Sequence, residues 1–219
     1  MFTFVVVDVE TTGLDKRSNR IISIGAKVLN THEVRTDALQ PVRTHTTFHA
    51  FVNPGQPNSA FEINHIPDEY LADKPGFPHV ARDFWNWVYD VYRSNPLHIP
   101  VVLVGHNFDS FDEPMFAAEH VRNKCLELVP REILLKIDTM KLLKYVFPQT
   151  AKSVPYGLPI TFHGPSSYRQ ADIYDFLFGE QPQLQHSALG DVCALERILM
   201  HPSVSRLLTE LKRPDPVVF

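Results

Sequence analysis

The chain is poor in cysteine: its 219 residues include only two, Cys125 and Cys193. Two isolated thiols provide neither a disulfide framework nor the ligand set of a structural zinc site. This scarcity favours an intracellular, reducing environment, in the cytoplasm or the nucleus.

The sequence also lacks a long apolar run. Its apolar start reaches an acid, Asp8, after seven residues, and it has neither the basic region nor the cleavage site of a signal peptide. No segment approaches the roughly 20 apolar residues that span a bilayer. We therefore expect a soluble protein that does not contact membranes.

Basic residues are not in excess. The 21 lysines and arginines are outnumbered by 25 acids, which gives a formal net charge of −4. A basic surface that coats nucleic acid passively is therefore not expected. A nucleic-acid enzyme is still compatible with this charge, because a carboxylate metal site is itself acidic. The length and the 44% hydrophobic content fit one domain, residues 1–219.

Hydrophobic patterning predicts an α/β fold with a mixed sheet flanked by helices. Three strands come first and indicate an antiparallel meander: Phe2–Val9, Arg20–Leu29 and Thr46–Val52. Strands and helices then alternate, with strands at 100–105 and 133–137 and helices at 79–92, 114–124, 139–145, 168–178, 187–200 and 203–211. The proline-rich segment 147–165 is interpreted as an irregular loop or an insertion near the active site.

The first chemical motif follows the first strand. Asp8 and Glu10 are two residues apart on an extended chain, so both side chains point to one face of the sheet. Two such acids repel each other unless a cation lies between them. A solvated turn is the alternative for this short pattern. Thr11, Thr12 and Gly13 follow, and such small residues allow the backbone to approach a ligand closely.

The second motif follows the strand at 100–105. Asp112 precedes Glu-Pro, which is compatible with a metal ligand or with an ordinary helix cap. Asp109, three residues earlier, is a competing ligand. His106 and Asn107 end the strand, where they could orient the loop or contact a sugar or a phosphate.

The third motif precedes a late amphipathic helix. Asp191 lies in a helix whose other side chains face the core, and a charged group there requires a partner or a metal. His186 stands five residues earlier. A surface histidine near a turn is the simpler interpretation of that residue taken alone.

Together, the motifs resemble those of the DEDDh exonucleases, the DnaQ-like group of the RNase H-like superfamily. The pattern D-x-E-T-T-G matches Asp8 to Gly13, and H-N-x-x-x-F-D matches His106 to Asp112. The third pattern, H-x(4)-D, matches His186 to Asp191, and Ser187 occupies the position of the tyrosine in the sister subgroup. The likeness covers residues 2–200 and selects Asp112 over Asp109.

The resemblance implies a 3′–5′ exonuclease that releases nucleoside 5′-monophosphates by a two-metal mechanism, with His186 as the general base. Two divalent ions, Mg²⁺ or Mn²⁺, would be held by four carboxylates: Asp8, Glu10, Asp112 and Asp191. Substrate contacts are expected at Thr11, Thr12, Gly13, Leu14, Ile66, Asn107, Phe108 and Phe111. The two phenylalanines would stack on or wedge between bases.

One segment departs from the family pattern. Residues 63–67 resemble the stretch I-H-G-I-T, but Asn64 stands at the histidine position and His65 at the glycine. The expected partner is a single-stranded or frayed 3′ end of DNA or RNA, and the sequence does not choose between the two polymers. A polymerase or a second copy of the chain is a further partner. The rival functions are a catalytically silent binding module and an endonuclease or phosphodiesterase with the same metals.

Overall fold

The computed structural model describes residues 2–29, 42–148, 151–152, 161–162, 164–210 and 214–217. The strands within these ranges are β1 (Thr3–Thr11), β2 (Ile21–Val28), β3 (Val42–Arg43), β4 (Thr47–Phe51), β5 (Val101–Gly105), β6 (Leu134–Asp138), β7 (Ala151–Lys152), β8 (Thr161–Phe162) and β9 (Asp215–Pro216). Seven of them form one sheet in the order β3-β4-β2-β1-β5-β6-β9, and β7 pairs with β8.

The sheet is mixed, as predicted. The strands β1, β2 and β4 pair antiparallel, whereas β5 and β6 extend the sheet in parallel beside β1. The edge strands β3 and β9 were not predicted, because two residues are too few to show an alternating pattern. Of the proline-rich segment 147–165, the short β7–β8 pair is described; residues 149–150, 153–160 and 163 lie outside the described part of the chain.

The described helices are α1 (Phe61–Asn64), α2 (Asp68–Ala72), α3 (Phe77–Ser94), α4 (Asp112–Arg122), α5 (Thr139–Val146), α6 (Gln170–Phe178), α7 (Ala188–Met200) and α8 (Pro202–Glu210). Two 3₁₀ turns, Leu126–Leu128 and Arg131–Ile133, precede β6. The six longer helices match the predicted segments within a few residues, whereas α1 and α2 were not predicted. None of the helices in the described ranges has the length and apolar character needed to cross a membrane.

The core lies on both faces of the sheet. Along β1, Val5 and Val7 belong to a cluster with α3 and α4, whereas Val6 packs with the apolar side of α7. The residues of a strand alternate between faces, so Asp8 and Glu10 point to the same side as Val6, towards α7. A buried strand therefore presents both acids to the helix that carries the third motif.

Candidate active site

Helix α7 reaches the acids of β1 because a glycine lies between them. Gly25 of β2 is the strand partner of Asp8. A Cβ atom at Gly25 would lie 2.5 Å from the carbonyl carbon of Ala188, the first residue of α7. The backbone of the first helical turn thus packs directly on the sheet, which brings Asp191 beside β1. Sequence analysis missed Gly25, although a glycine inside a strand signals a close backbone approach.

A second glycine fixes the turn before α7. A Cβ atom at Gly190 would lie 2.2 Å from the carbonyl oxygen of Leu184. The turn that carries His186 therefore folds back onto the first turn of the helix.

Three acidic side chains converge at this point. Carboxylate oxygens of Asp8, Glu10 and Asp191 lie within 4.8 Å of one another. Asp191 is held from two sides: the backbone amide of His186 donates to its Oδ2 at 2.9 Å, and Gln170 Nε2 donates to its Oδ1 at 3.4 Å. The first and third motifs therefore meet as the sequence predicted.

Asp112 closes the cluster from the start of α4. Asp112 is only 2% exposed, and its carboxylate accepts hydrogen bonds from the backbone amide of Val9 and from its own backbone amide. The other oxygen, Oδ1, is buried and meets no hydrogen-bond donor among the described residues. The proximity of Asp112 to Asp8 also shows in the pKa of Asp8, on which the Asp112 charge has the largest effect after burial.

The pKa values of all four acids are raised in the absence of a cation. Burial raises the pKa of Asp8 well above its usual range, and the charges of Asp112, Asp191 and Glu10 raise it further. Burial, with Asp191 and Asp112, raises the pKa of Glu10 to about 8. Burial raises the pKa of Asp112 to about 8 and that of Asp191 to about 6. Such mutual repulsion between carboxylates is relieved by a cation.

The donor set fits divalent ions of the Mg²⁺ type. Such hard cations take carboxylate oxygens, and the cluster offers these from four acids at the end of one strand and the start of two helices. The buried, unpartnered Oδ1 of Asp112 is an oxygen that a metal would satisfy.

Asp109, the rival ligand in the second motif, has other partners. Its carboxylate forms ion pairs with Lys136, at 2.9 Å, and with Lys141. The neighbouring Asp138 caps α5 through the amide of Met140 and accepts a further hydrogen bond from the amide of Asn107. These contacts fix the loop that leads to Asp112.

His106 is part of this scaffold. One ring nitrogen lies 3.0 Å from Thr139 Oγ1 and the other 2.7 Å from the carbonyl oxygen of Tyr168. Burial lowers the pKa of His106. Of the two roles considered from the sequence, orientation of the loop therefore fits the structure.

His186 lies at the N-terminal edge of α7, as expected. It is exposed, adopts a left-handed backbone conformation with φ of 61°, and precedes the N-cap residue Ser187. Its backbone amide donates to Asp191, and its side chain forms no hydrogen bond with any residue that the structure describes.

The residues predicted to contact substrate differ in accessibility. Leu14 is 83% exposed beside Gly13. The hydroxyl of Thr12 is occupied, since it accepts from the amide of Arg20 at 3.0 Å and from Gln56 Nε2 at 3.0 Å. Thr11 is likewise buried, and its hydroxyl donates to the Gly13 carbonyl at 2.8 Å. These threonines shape the loop rather than offer free hydroxyls.

The prediction for Phe108 was wrong. This side chain is completely buried and packs where a Cβ atom of Gly105 would otherwise lie, so it cannot stack on a base. Ile66 is also buried, in a small apolar cluster, so its side chain cannot form the predicted contact either. Phe111 is half-buried, and Asn107 has a left-handed backbone with φ of 61°.

Asn64 has a structural role that sequence analysis missed. Its Nδ2 donates to the carbonyl oxygen of Thr11 at 3.1 Å, while Ser59 donates to the carbonyl of Thr12. These bonds join α1 to the loop after β1. Phe61 and Ile63 on this helix remain exposed, at 44% and 54%.

Comparison with known proteins agrees with this geometry. The RNase T family model, described as exonuclease, matches residues 5–199. The epsilon subunit of DNA polymerase III from Rickettsia prowazekii (strain Madrid E) is 31% identical over 218 residues, which cover 97% of this chain and 80% of that protein. The same subunit of Rickettsia typhi is 32% identical over 147 residues, 66% of this chain and 56% of the relative. The chain thus spans a little over half of one relative and most of the other.

The fold is that of exonuclease I. A structure with that name matches with a TM-score of 0.63 and 16% identity over 96% of this chain and 44% of the other. Escherichia coli exonuclease I in complex with a dT13 oligonucleotide matches with a TM-score of 0.62 and 17% identity over 96% of this chain and 43% of the other. Given these matches and the acidic cluster, the chain belongs to the RNase T exonuclease family, within the DnaQ-like group of the RNase H-like superfamily.

Proposed function

We propose that this chain removes nucleotides from DNA 3′ ends by metal-assisted hydrolysis, with Asp8, Glu10, Asp112 and Asp191 as the ligands of two divalent ions. The observation that carries the proposal is the convergence of the carboxylates of Asp8, Glu10 and Asp191, with the buried Asp112 beside Asp8. When bound, the ions supply charge stabilisation to the attacking and the leaving oxygens of the phosphodiester. A silent binding module would have no need of four acids whose proximity opposes their ionisation.

The protein's own groups position the reacting strand. Three exposed apolar residues, here called the apolar rim, lie on segments that hydrogen bonds join at the backbone of Thr11 and Thr12: Leu14, Phe61 and Ile63. We propose that the terminal base rests on this rim. Apolar and stacking contacts of this type tolerate any base, as an exonuclease requires.

His186 is proposed as the general base. Its exposure and its position one turn from Asp191 support this role, because the ring can reach the cluster when substrate is bound. We expect His186→Ala to lose most turnover while metal binding stays unchanged. Titration of Mn²⁺ into both proteins and a pH–rate profile separate loss of the base from loss of the ions.

The choice of DNA rests on the relatives. The two Rickettsia proteins are named as subunits of a DNA polymerase, and the exonuclease I structure holds a dT13 strand. We accordingly propose a DNA strand as substrate and a polymerase as partner.

The test is digestion of matched DNA and RNA strands labelled at the 3′ end, single- and double-stranded, with Mg²⁺ and with Mn²⁺. We expect stepwise release of nucleoside 5′-monophosphates from DNA, and no activity in the Asp8→Asn variant. A circular single strand should stay intact. Cleavage of the circle would favour the endonuclease alternative, and inactivity of the folded protein on every strand would contradict the proposal.

A further inference from the structure

A surface groove of about 700 Å³ lies between the loop after β1 and helix α4. Lys16 and Arg17, from the loop between β1 and β2, line one side. Pro114, Ala117 and Val121, from the exposed face of α4, line the other. Both walls are close in the chain to residues of the candidate site, since Lys16 follows Leu14 by two residues and Pro114 follows Asp112 by two.

The two cations are held in place by their loop. The Asp15 carboxylate accepts from the amide of Arg17 at 3.0 Å and from the Ser18 hydroxyl at 3.1 Å. Arg122 of α4 donates to the carbonyl oxygens of Lys16 and Arg17 at 2.9 and 3.2 Å. The loop is therefore anchored to the opposite wall of the groove.

The side chains of Lys16 and Arg17 are nevertheless available. Both residues are exposed, and neither forms an ion pair with any residue that the structure describes. The acid in the groove wall, Glu113, is paired with Lys136 instead. In a chain with a net charge of −4, this groove thus combines two free cations with an apolar wall.

We infer that this groove binds the part of the strand that lies 5′ of the scissile bond, with Lys16 and Arg17 on its phosphates and the α4 face against its sugars and bases. The inference rests on the proposed function. Charge complementarity, and the position of Pro114 two residues after Asp112 at the start of α4, favour a single nucleic-acid strand over a protein partner. An anchored loop also lowers the conformational entropy that binding costs.

The test compares a 12-nucleotide single strand, which would occupy the groove, with a dinucleotide, which would not reach it. Affinity for a 12-nucleotide single strand is measured by fluorescence anisotropy in the inactive Asp8→Asn protein, with and without Lys16→Ala and Arg17→Ala. We expect the double substitution to weaken binding about tenfold at low salt and to reduce the salt slope by about 1.4, since each phosphate contact on a single strand contributes roughly 0.7. Val121→Glu should weaken binding as well.

The matched control removes two arginines of α3, by Arg82→Ala and Arg93→Ala; both are exposed and lie outside the groove. It should leave affinity and salt slope unchanged. In the active protein, cleavage of a dinucleotide, which has no upstream phosphate, should be unaffected by Lys16→Ala and Arg17→Ala. Unchanged affinity for the long strand would overturn the inference even if the dinucleotide is cleaved. If the wild-type protein cleaves neither substrate, the proposed function itself fails.

Discussion

At the scale of single residues, the second motif offers two aspartates of opposite character. Asp112 is 2% exposed and forms no ion pair with a described residue, whereas Asp109 forms ion pairs with two lysines. We expect Asp112→Asn to lower the hydrolysis rate roughly a thousandfold, because a metal ligand stabilises transition-state charge by several kcal/mol. Thermal stability without metal should not fall, since a neutral amide relieves the repulsion between the acids. Single-turnover hydrolysis and thermal melts measure the two effects.

Asp109→Asn is the matched control. It removes the ion pairs with Lys136 and Lys141 and leaves the cluster intact, so activity should remain within a few-fold of wild type. Equal loss of activity in both variants would show that the loop geometry, and not metal ligation, explains the effect of Asp112.

The sequence predicted the acids more readily than their surroundings. Asp8 and Glu10 could be assigned to one face because alternation along a strand is a local rule. The roles of Gly25 and Asn64 depend on contacts with distant segments, which a local pattern does not contain. The prediction that Phe108 contacts bases was wrong for the same reason. An aromatic residue in a polar loop resembles a stacking group, and only the tertiary fold shows that it is buried.

At the scale of elements, the position of α7 on the sheet determines the geometry of the site. Gly25→Ala should displace the first turn of α7, because the new methyl group would lie 2.5 Å from the Ala188 backbone. We expect a loss of about 1–3 kcal/mol in the free energy of unfolding, as for other overpacked cores. The hydrolysis rate should fall by more than this loss of stability alone explains, because Asp191 moves with the helix. Urea denaturation and hydrolysis rates provide the comparison.

Gly76→Ala serves as the control for the loss of a glycine. Its Cβ would meet only the Pro78 side chain at 3.9 Å, an ordinary van der Waals contact. Stability and activity should both stay close to wild type. Full activity in Gly25→Ala would instead mean that α7 does not need this close approach.

Helices could be predicted from the sequence where they are long enough to show apolar residues at helical spacing. The helix α3 buries apolar residues such as Val80, Phe84 and Val88 at helical spacing, so its position was predicted from the sequence. The helices α1 and α2 span four and five residues, too few for a period to show. Their positions are set instead by hydrogen bonds such as that from Asn64 to Thr11.

At the scale of the whole molecule, a buried histidine links stability to pH. His120 lies on α4 and faces α3: Trp85 Nε1 of α3 donates to its Nε2 at 2.8 Å, and its Nδ1 lies 2.7 Å from the carbonyl oxygen of Phe116. This pairing requires the neutral ring, and burial lowers the pKa of His120. The unfolded chain, with a histidine pKa of about 6.5, binds the proton more readily. The stability that neutral His120 contributes is therefore complete above about pH 6.5, the pKa of the unfolded histidine, and declines as the pH falls below that value.

We expect the contribution of His120 to the free energy of unfolding to decrease between pH 7 and pH 5, by at most about 1.4 kcal/mol per pH unit for this one proton. The four clustered acids act in the opposite direction, because their raised pKa values make the folded state bind protons more readily than the unfolded chain. His120→Gln should remove this contribution, so that the difference in stability between the two proteins shrinks as the pH falls, because glutamine can accept from Trp85 and does not titrate. Urea denaturation followed by tryptophan fluorescence measures both proteins. Identical slopes would place the pH dependence in other groups.

Metal binding should stabilise the whole fold, because the repulsion among Asp8, Glu10, Asp112 and Asp191 is a cost of folding that a cation removes. At 100 times the dissociation constant a ligand contributes about 2.7 kcal/mol, which corresponds to a rise of about 5–10 °C in Tm for a domain of this size. Thermal melts with MgCl₂ or MnCl₂, against KCl of equal ionic strength and against EDTA, measure this shift. Asp8→Asn should lose most of it, while Asp109→Asn, which leaves the cluster intact, should keep it. If MgCl₂, MnCl₂ and KCl give the same Tm in the wild-type protein, the carboxylates do not form a divalent-metal site.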